Sequence, residues 1–65
     1  MKLIVNGEAR EIAAPTLDKA LEELEMGGRT VATALNGAFV PARRRAEAAL
    51  KEGDRLEVLT PMQGG

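Results

Sequence analysis

The chain has no cysteine, histidine, serine, tryptophan or tyrosine, and a single phenylalanine, Phe39. Each absence removes a class of function. Without Cys and His there is no disulfide, no thiol nucleophile, no imidazole base and none of the usual zinc ligands. Without Ser there is no serine nucleophile. Catalysis by this chain alone is therefore not expected, and neither is a bound metal or cofactor. Almost no aromatics means no stacking platform for bases. The formal charge of -1 gives no net attraction for a phosphate backbone either, so no nucleic-acid partner is expected. No apolar run approaches the ~20 residues that span a bilayer. The start, "MKLIVNG", is no signal peptide. These readings predict a cytoplasmic protein with no membrane partner, a monomer by itself. At 65 residues it is one domain at most, with a thin stability margin and an aliphatic core.

What is present has a clear order. "MKLIVNGEAREIA" reads as a hairpin about Asn6-Gly7, because both central residues of a type I′ turn need positive φ. Its return strand, Glu8 to Ile12, is polar enough for a sheet edge. "PTLDKALEELEMGG" reads as a helix, with Thr16 as N-cap and Asp18 in the first turn. Leu17, Ala20, Leu21 and Leu24 lie on one face, and Gly27 or Gly28 supplies the left-handed stop. "TVATALNGAFVP" gives a second hairpin about Asn36-Gly37, closed by Pro41. "ARRRAEAALKEGD" allows a short helix using Ala46, Ala49 and Leu50, then a turn at Gly53-Asp54. "RLEVLT" is the last strand.

Hairpin, helix, then further strands predicts an α+β fold, one helix packed across a mixed sheet with the first and last strands at its centre. If Leu3, Val5, Leu56 and Val58 point toward the helix, strand alternation sends their neighbours to the other face. Ile4 and Leu59 then fall on the uncovered face, near the chain's end. With Met62 they form a candidate docking patch. Charge is also divided along the chain. Glu8, Glu11, Asp18, Glu22, Glu23 and Glu25 face only Arg10 and Lys19 in the first stretch, whereas no acid lies between Arg29 and Arg45. The run Arg43-Arg44-Arg45 is thus a candidate for steering toward an acidic partner surface.

The chain closes on Gly64-Gly65, residues without a Cβ that let backbone pass a narrow channel. At about 7% Gly usage, two terminal glycines arise by chance in roughly one chain in 200. The pair gains weight from the segments that precede it. "VNGEAREI", "TLDKALEEL", "ALNGAFVP" and "EGDRLEVLTPMQGG", in this order and over the whole length, resemble the ThiS family of sulfur carriers of thiamine biosynthesis.

That resemblance implies a ubiquitin-like β-grasp domain over residues 1–60 and a flexible diglycine tail over 61–65. It implies that a ubiquitin-activating-like enzyme uses ATP and Mg²⁺ to adenylate the Gly65 carboxylate. A sulfur donor, such as a cysteine desulfurase or a rhodanese-type protein, then makes the thiocarboxylate, which feeds thiazole synthase. Gly65 carries the reaction, Gly64 gives access, and Met62 and Gln63 enter the partner's channel. The chain is then a protein substrate, not an enzyme. Chemistry agrees: with no thiol, a sulfur carried by this chain has the terminal carboxyl as its acyl site. Family members often place an Arg after the Val-Pro step and an aromatic residue a few positions on. Here Ala42 and Arg43-Arg44-Arg45 stand there, so a contact through that aromatic is not carried over. Related β-grasp carriers serving molybdopterin synthase, tRNA thiolation or cysteine synthesis share the tail and stay open as alternatives. So do a ubiquitin-like modifier and a plain interaction domain.

Overall fold

The structure is a computed structural model that describes residues 1–60. Strands β1 (Lys2–Val5) and β2 (Glu8–Glu11) are followed by helix α1 (Leu17–Glu23). Strands β3 (Ala32–Leu35) and β4 (Ala38–Val40), a 3₁₀ segment (Ala42–Glu47) and strand β5 (Arg55–Leu59) complete the order. The sheet runs β2-β1-β5-β3-β4, with β1 and β5 parallel and the other pairs antiparallel. This is the mixed sheet with one helix that the β-grasp expectation required. The last strand is central and the polar β2 is an edge.

Both hairpins turn as their Asn-Gly pairs dictate. Asn6 and Gly7 have φ of 50° and 85°, and Asn36 and Gly37 have 51° and 87°, which the type I′ turn needs at both positions. The turns fix register, and register fixes faces. Leu3, Val5, Leu56 and Val58 are buried with Leu17, Ala20 and Leu21 of α1. Each fully covered leucine here contributes about 1.5–3 kcal/mol. Leu24 and Met26 pack on the cluster's margin.

Three details depart from the sequence expectation, each for a physical reason. The left-handed stop of α1 is Glu25, with φ of 64°, not Gly27 or Gly28. The amide of Glu25 donates to the Glu22 carbonyl (3.0 Å) and that of Met26 to the Leu21 carbonyl (2.7 Å), a Schellman ending. Ending there sets Met26 against the core, and that apolar contact is set against the cost of a left-handed non-glycine residue. Gly27 serves a different need, since a Cβ there would stand 3.0 Å from Glu22 Cγ. Second, Thr16 is the N-cap by position, but its hydroxyl bonds Asp18 and makes no cap. The Leu17 amide donates instead to the Ala48 carbonyl at 3.0 Å. Third, the expected helix through Ala46, Ala49 and Leu50 is the 3₁₀ segment Ala42–Glu47, with no buried residue of its own. Beyond it the chain is extended, Ala49 bridges Thr16, and Leu50 enters the core. Capping α1 from this strand-like stretch displaces a second α-helix.

Asp54 is the fold's main polar junction. Its carboxylate accepts from Asn36 Nδ2 (3.0 Å) and from the Lys51 amide (2.9 Å), while its carbonyl accepts from the Ile4 amide (2.9 Å). The Asn36 hydrogen bond above all, with the Lys51 amide, holds this carboxyl below the usual carboxylate range against the opposing effect of burial. A depressed value means that the unfolded chain binds the proton more readily. Asp54 therefore adds stability above about pH 4, and that stability is lost as pH falls through its folded value. Asp54→Asn should flatten the acid limb of a stability–pH profile measured by denaturant unfolding between pH 7 and pH 2.5. Asp18, held low first by the Thr16 hydroxyl, leaves a residual slope in the variant. An unchanged acid limb would contradict this assignment.

Candidate functional site

The face of the sheet opposite α1 is read from the pairing. Ile4 stands beside Ala9 and Arg55, Ala34 beside Phe39 and Glu57, and Ala32 beside Leu59. All of these side chains lie on the uncovered side, since their strand neighbours Leu3, Val5, Thr33, Leu56 and Val58 are buried. Leu59, at the end of β5, is 67% exposed. With Thr30, Val31, Ala32 and Thr60 it lines a shallow apolar depression.

Ile4 shares that face but not that place. It is in register with Arg55, four residues from Leu59, or about 13 Å along the strand. Ile4 is half-buried beside Arg55 and Glu57. The two aliphatics therefore do not form one patch near the chain's end, because strand direction carries them to opposite ends of the sheet.

Phe39 was not singled out from the sequence, although it is 69% exposed on the same face. A signal existed. The Asn36-Gly37 turn pairs Leu35 with Ala38 and hence Ala34 with Phe39. With Thr33 directed inward, Phe39 must point outward.

The arginine run is divided. Arg43 and Arg44 are exposed and line a shallow groove with Phe39, Val40, Pro41 and Glu47. Neither makes an ion pair among the described residues. Arg45 is turned the other way. Its Nε donates to Thr33 Oγ1 (3.0 Å) and its terminal nitrogen to the Val31 carbonyl (2.7 Å). Thr33 is 1% exposed, and its hydroxyl donates in turn to the Val40 carbonyl at 2.7 Å. Arg45 thus ties the 3₁₀ segment to β3 and β4. Arg45→Ala should cost about 1–3 kcal/mol in unfolding free energy, because it strips a buried hydroxyl of its charged donor. Neutralising Arg43 and Arg44 together should leave stability unchanged within about 0.5 kcal/mol. If those two steer association, the double variant slows partner binding at low salt and loses the difference at high salt. Stopped-flow association at two ionic strengths reads this, and an unchanged on-rate means a merely solvated pair.

Met62, Gln63, Gly64 and Gly65, with the tail boundary at 61, lie outside the described residues. Thr60, the last described residue, stands at the Leu59 end of the sheet.

The comparisons with known proteins accord with this architecture. A thiazole synthase from Paramagnetospirillum magneticum is 39% identical over 66 residues, covering all of this chain and 20% of that protein. This chain thus spans a fifth of that relative's length. The sulfur carrier protein ThiS of Thermus thermophilus is also 39% identical over 66 residues, across 94% of this chain and 95% of that one. Among solved structures, the crystal structure of a thiamine biosynthesis protein, ThiS, from Geobacter metallireducens superposes with a TM-score of 0.82 at 29% identity, over the full length of both chains. A solution structure of a thiamine biosynthesis protein from the same organism gives 0.80 at 28% identity, covering all of this chain and 88% of that one. The model of the ThiS family matches residues 3–65, from the first buried leucine of β1 to the final glycine, and the chain belongs to that family.

Proposed function

We propose that the chain is the sulfur carrier that supplies thiazole formation in thiamine biosynthesis, with the Gly65 carboxyl as the carrying group. The observation that carries this reading is the family match, which runs through Gly64-Gly65 and spans nearly the whole chain. The carboxylate oxygen attacks the α-phosphate of ATP in a partner adenylating enzyme and pyrophosphate leaves. A sulfide-equivalent nucleophile from the sulfur donor then displaces AMP and leaves a thiocarboxylate. Adenylation is needed because a carboxylate oxygen is otherwise a poor leaving group. ATP and Mg²⁺ are substrates of the partner, not residents of this chain. The chain acts as a substrate protein, which suits a composition without Cys, His or Ser. The segment shared with a relative named thiazole synthase supports thiazole synthase as the sulfur acceptor. The proposed use of a partner's ATP supports a cytoplasmic setting; among the described residues no helix is long and apolar enough to cross a membrane.

The test is to incubate the protein with the host's adenylating enzyme, Mg-ATP and a sulfide source, and to record the intact mass. Exchange of one oxygen for sulfur on the fragment that ends at Gly65 is the expected result. An unchanged mass, with an enzyme active on another carrier, would overturn the assignment. Loaded protein that supports no thiazole formation with thiazole synthase, but does support a different acceptor, would move the chain to a neighbouring carrier pathway.

A further inference from the structure

Strand β5 is held between two side-chain amides, one at each end. At its start, Asn36 Oδ1 accepts from the Arg55 amide at 2.9 Å and Asn36 Nδ2 reaches Asp54. At its far end, Asn6 Nδ2 donates to the Val58 carbonyl (3.1 Å) and Asn6 Oδ1 accepts from the Val58 amide (2.9 Å). The backbone amide of Asn6 already donates to the Leu56 carbonyl at 2.9 Å. The side chain therefore supplies what the next residue of a parallel neighbour would supply.

That neighbour is missing for a topological reason. The last registered pair of β1 and β5 is Val5 with Leu56, and the chain then turns back at Gly7. On the opposite flank β3 continues to pair as far as Ala32 with Leu59. On the β1 flank, the Asn6 amide alone meets Val58 among the described hydrogen bonds. Without it, the end of β5 has a partner on one side only, and one-sided strand ends open more readily.

The turn itself does not require the amide. A type I′ turn needs a residue that tolerates positive φ at this position, and glycine does so. The hold on Val58 is thus a second role, separable from the turn by substitution. Val58 adjoins Leu59, the exposed apolar residue at the end of the sheet, and the chain runs on from there to Gly65.

We infer that Asn6 is a positioning residue for carboxyl activation: its amide clamps Val58 and so fixes, before docking, the backbone from which the segment ending at Gly65 departs. This rests on the reading that Gly65 is the group activated. Fixing that backbone in the free protein removes an ordering cost that binding would otherwise meet. Loss of the clamp acts on KM and not on kcat, because the chemical step is insensitive to Val58 once Gly65 lies in the adenylating pocket. Asn36 is the internal control, with the same residue type, turn and strand at the opposite end.

The experiment is ATP–pyrophosphate exchange by the host's adenylating enzyme on wild type, Asn6→Gly and Asn36→Gly, at a temperature where circular dichroism shows all three folded. Asn6→Gly should raise KM for the carrier about tenfold, with kcat within about twofold of wild type. Asn36→Gly should leave both within about twofold, although it also loosens β5. Should Asn6→Gly fail to fold, Asn6→Asp and Asn36→Gly form the comparison. An aspartate at position 6 keeps an acceptor for the Val58 amide but sets a carboxylate against its carbonyl, so KM rises there and not in the partner variant. Equal KM values for the two positions would show that the Asn6 amide is structural only. A fall in kcat at constant KM would overturn the inference as well. No exchange by wild type would overturn the Gly65 reading and this one with it.

Discussion

Removing Gly65 is expected to abolish carboxyl activation while the folded domain remains. Deletion leaves a carboxylate on Gly64, one residue or about 3.5 Å short of its target. Transfer chemistry is sensitive to far smaller displacements, since a misplacement of about 1 Å can cost 10²-fold in rate. Exchange of pyrophosphate into ATP should therefore drop by more than about 10²-fold for the deletion. Gly65→Leu restores the length but adds a side chain at the residue proposed to carry the reaction, where the proposed function calls for bare backbone, and should be comparably inactive. A third variant, with alanine added after Gly65, keeps both glycines and moves the carboxyl. Among the described residues the buried core runs from Leu3 to Val58, so none of the three variants is expected to shift the thermal midpoint. Retained exchange in the deletion would end the Gly65 assignment. A shifted midpoint would mean that the last residues serve the fold.

Much of this architecture was legible because two Asn-Gly turns fix register and alternation then fixes faces. That logic puts Leu3 with Val5 and Leu56 with Val58 on shared faces, and the structure shows that these are the buried ones. What could not be read were features set by contacts distant in sequence. The cap of α1 comes from Ala48, which follows the 3₁₀ segment, so Thr16 gave the right position and the wrong bond. Glu25 ends α1 because Met26 has a core site to fill, a reason invisible to a rule that looks for glycine. Arg45 looked like its two neighbours, and only the approach of β3 distinguishes it. The same holds for the two asparagines. Sequence pattern gives the turns they make, and only the fold reveals that both side chains grip the central strand.

Leu56 and Leu59 give a sharp test of the docking face, because they are the same residue three positions apart on β5 and point to opposite sides of the sheet. Leu56 is 0% exposed among the core leucines. Leu56→Ala should cost about 2–5 kcal/mol, as removal of a fully buried leucine does. A domain of this size has a total stability near the low end of about 5–15 kcal/mol, so that single change should bring it close to unfolding. Leu59 buries little in the free protein, and Leu59→Asp should change stability by no more than about 1 kcal/mol. Its cost should appear on binding. An apolar anchor at the centre of an interface carries about 2 kcal/mol or more, equivalent to a loss of roughly 30-fold in affinity for the adenylating enzyme. Denaturant unfolding and calorimetric binding on both variants separate the outcomes. Unchanged affinity for Leu59→Asp would remove Leu59 from the interface and leave Phe39, on the same face beside Arg43 and Arg44, as the exposed anchor. Unfolding of Leu59→Asp would contradict its exposure, and with it the assignment of this side of the sheet to a partner.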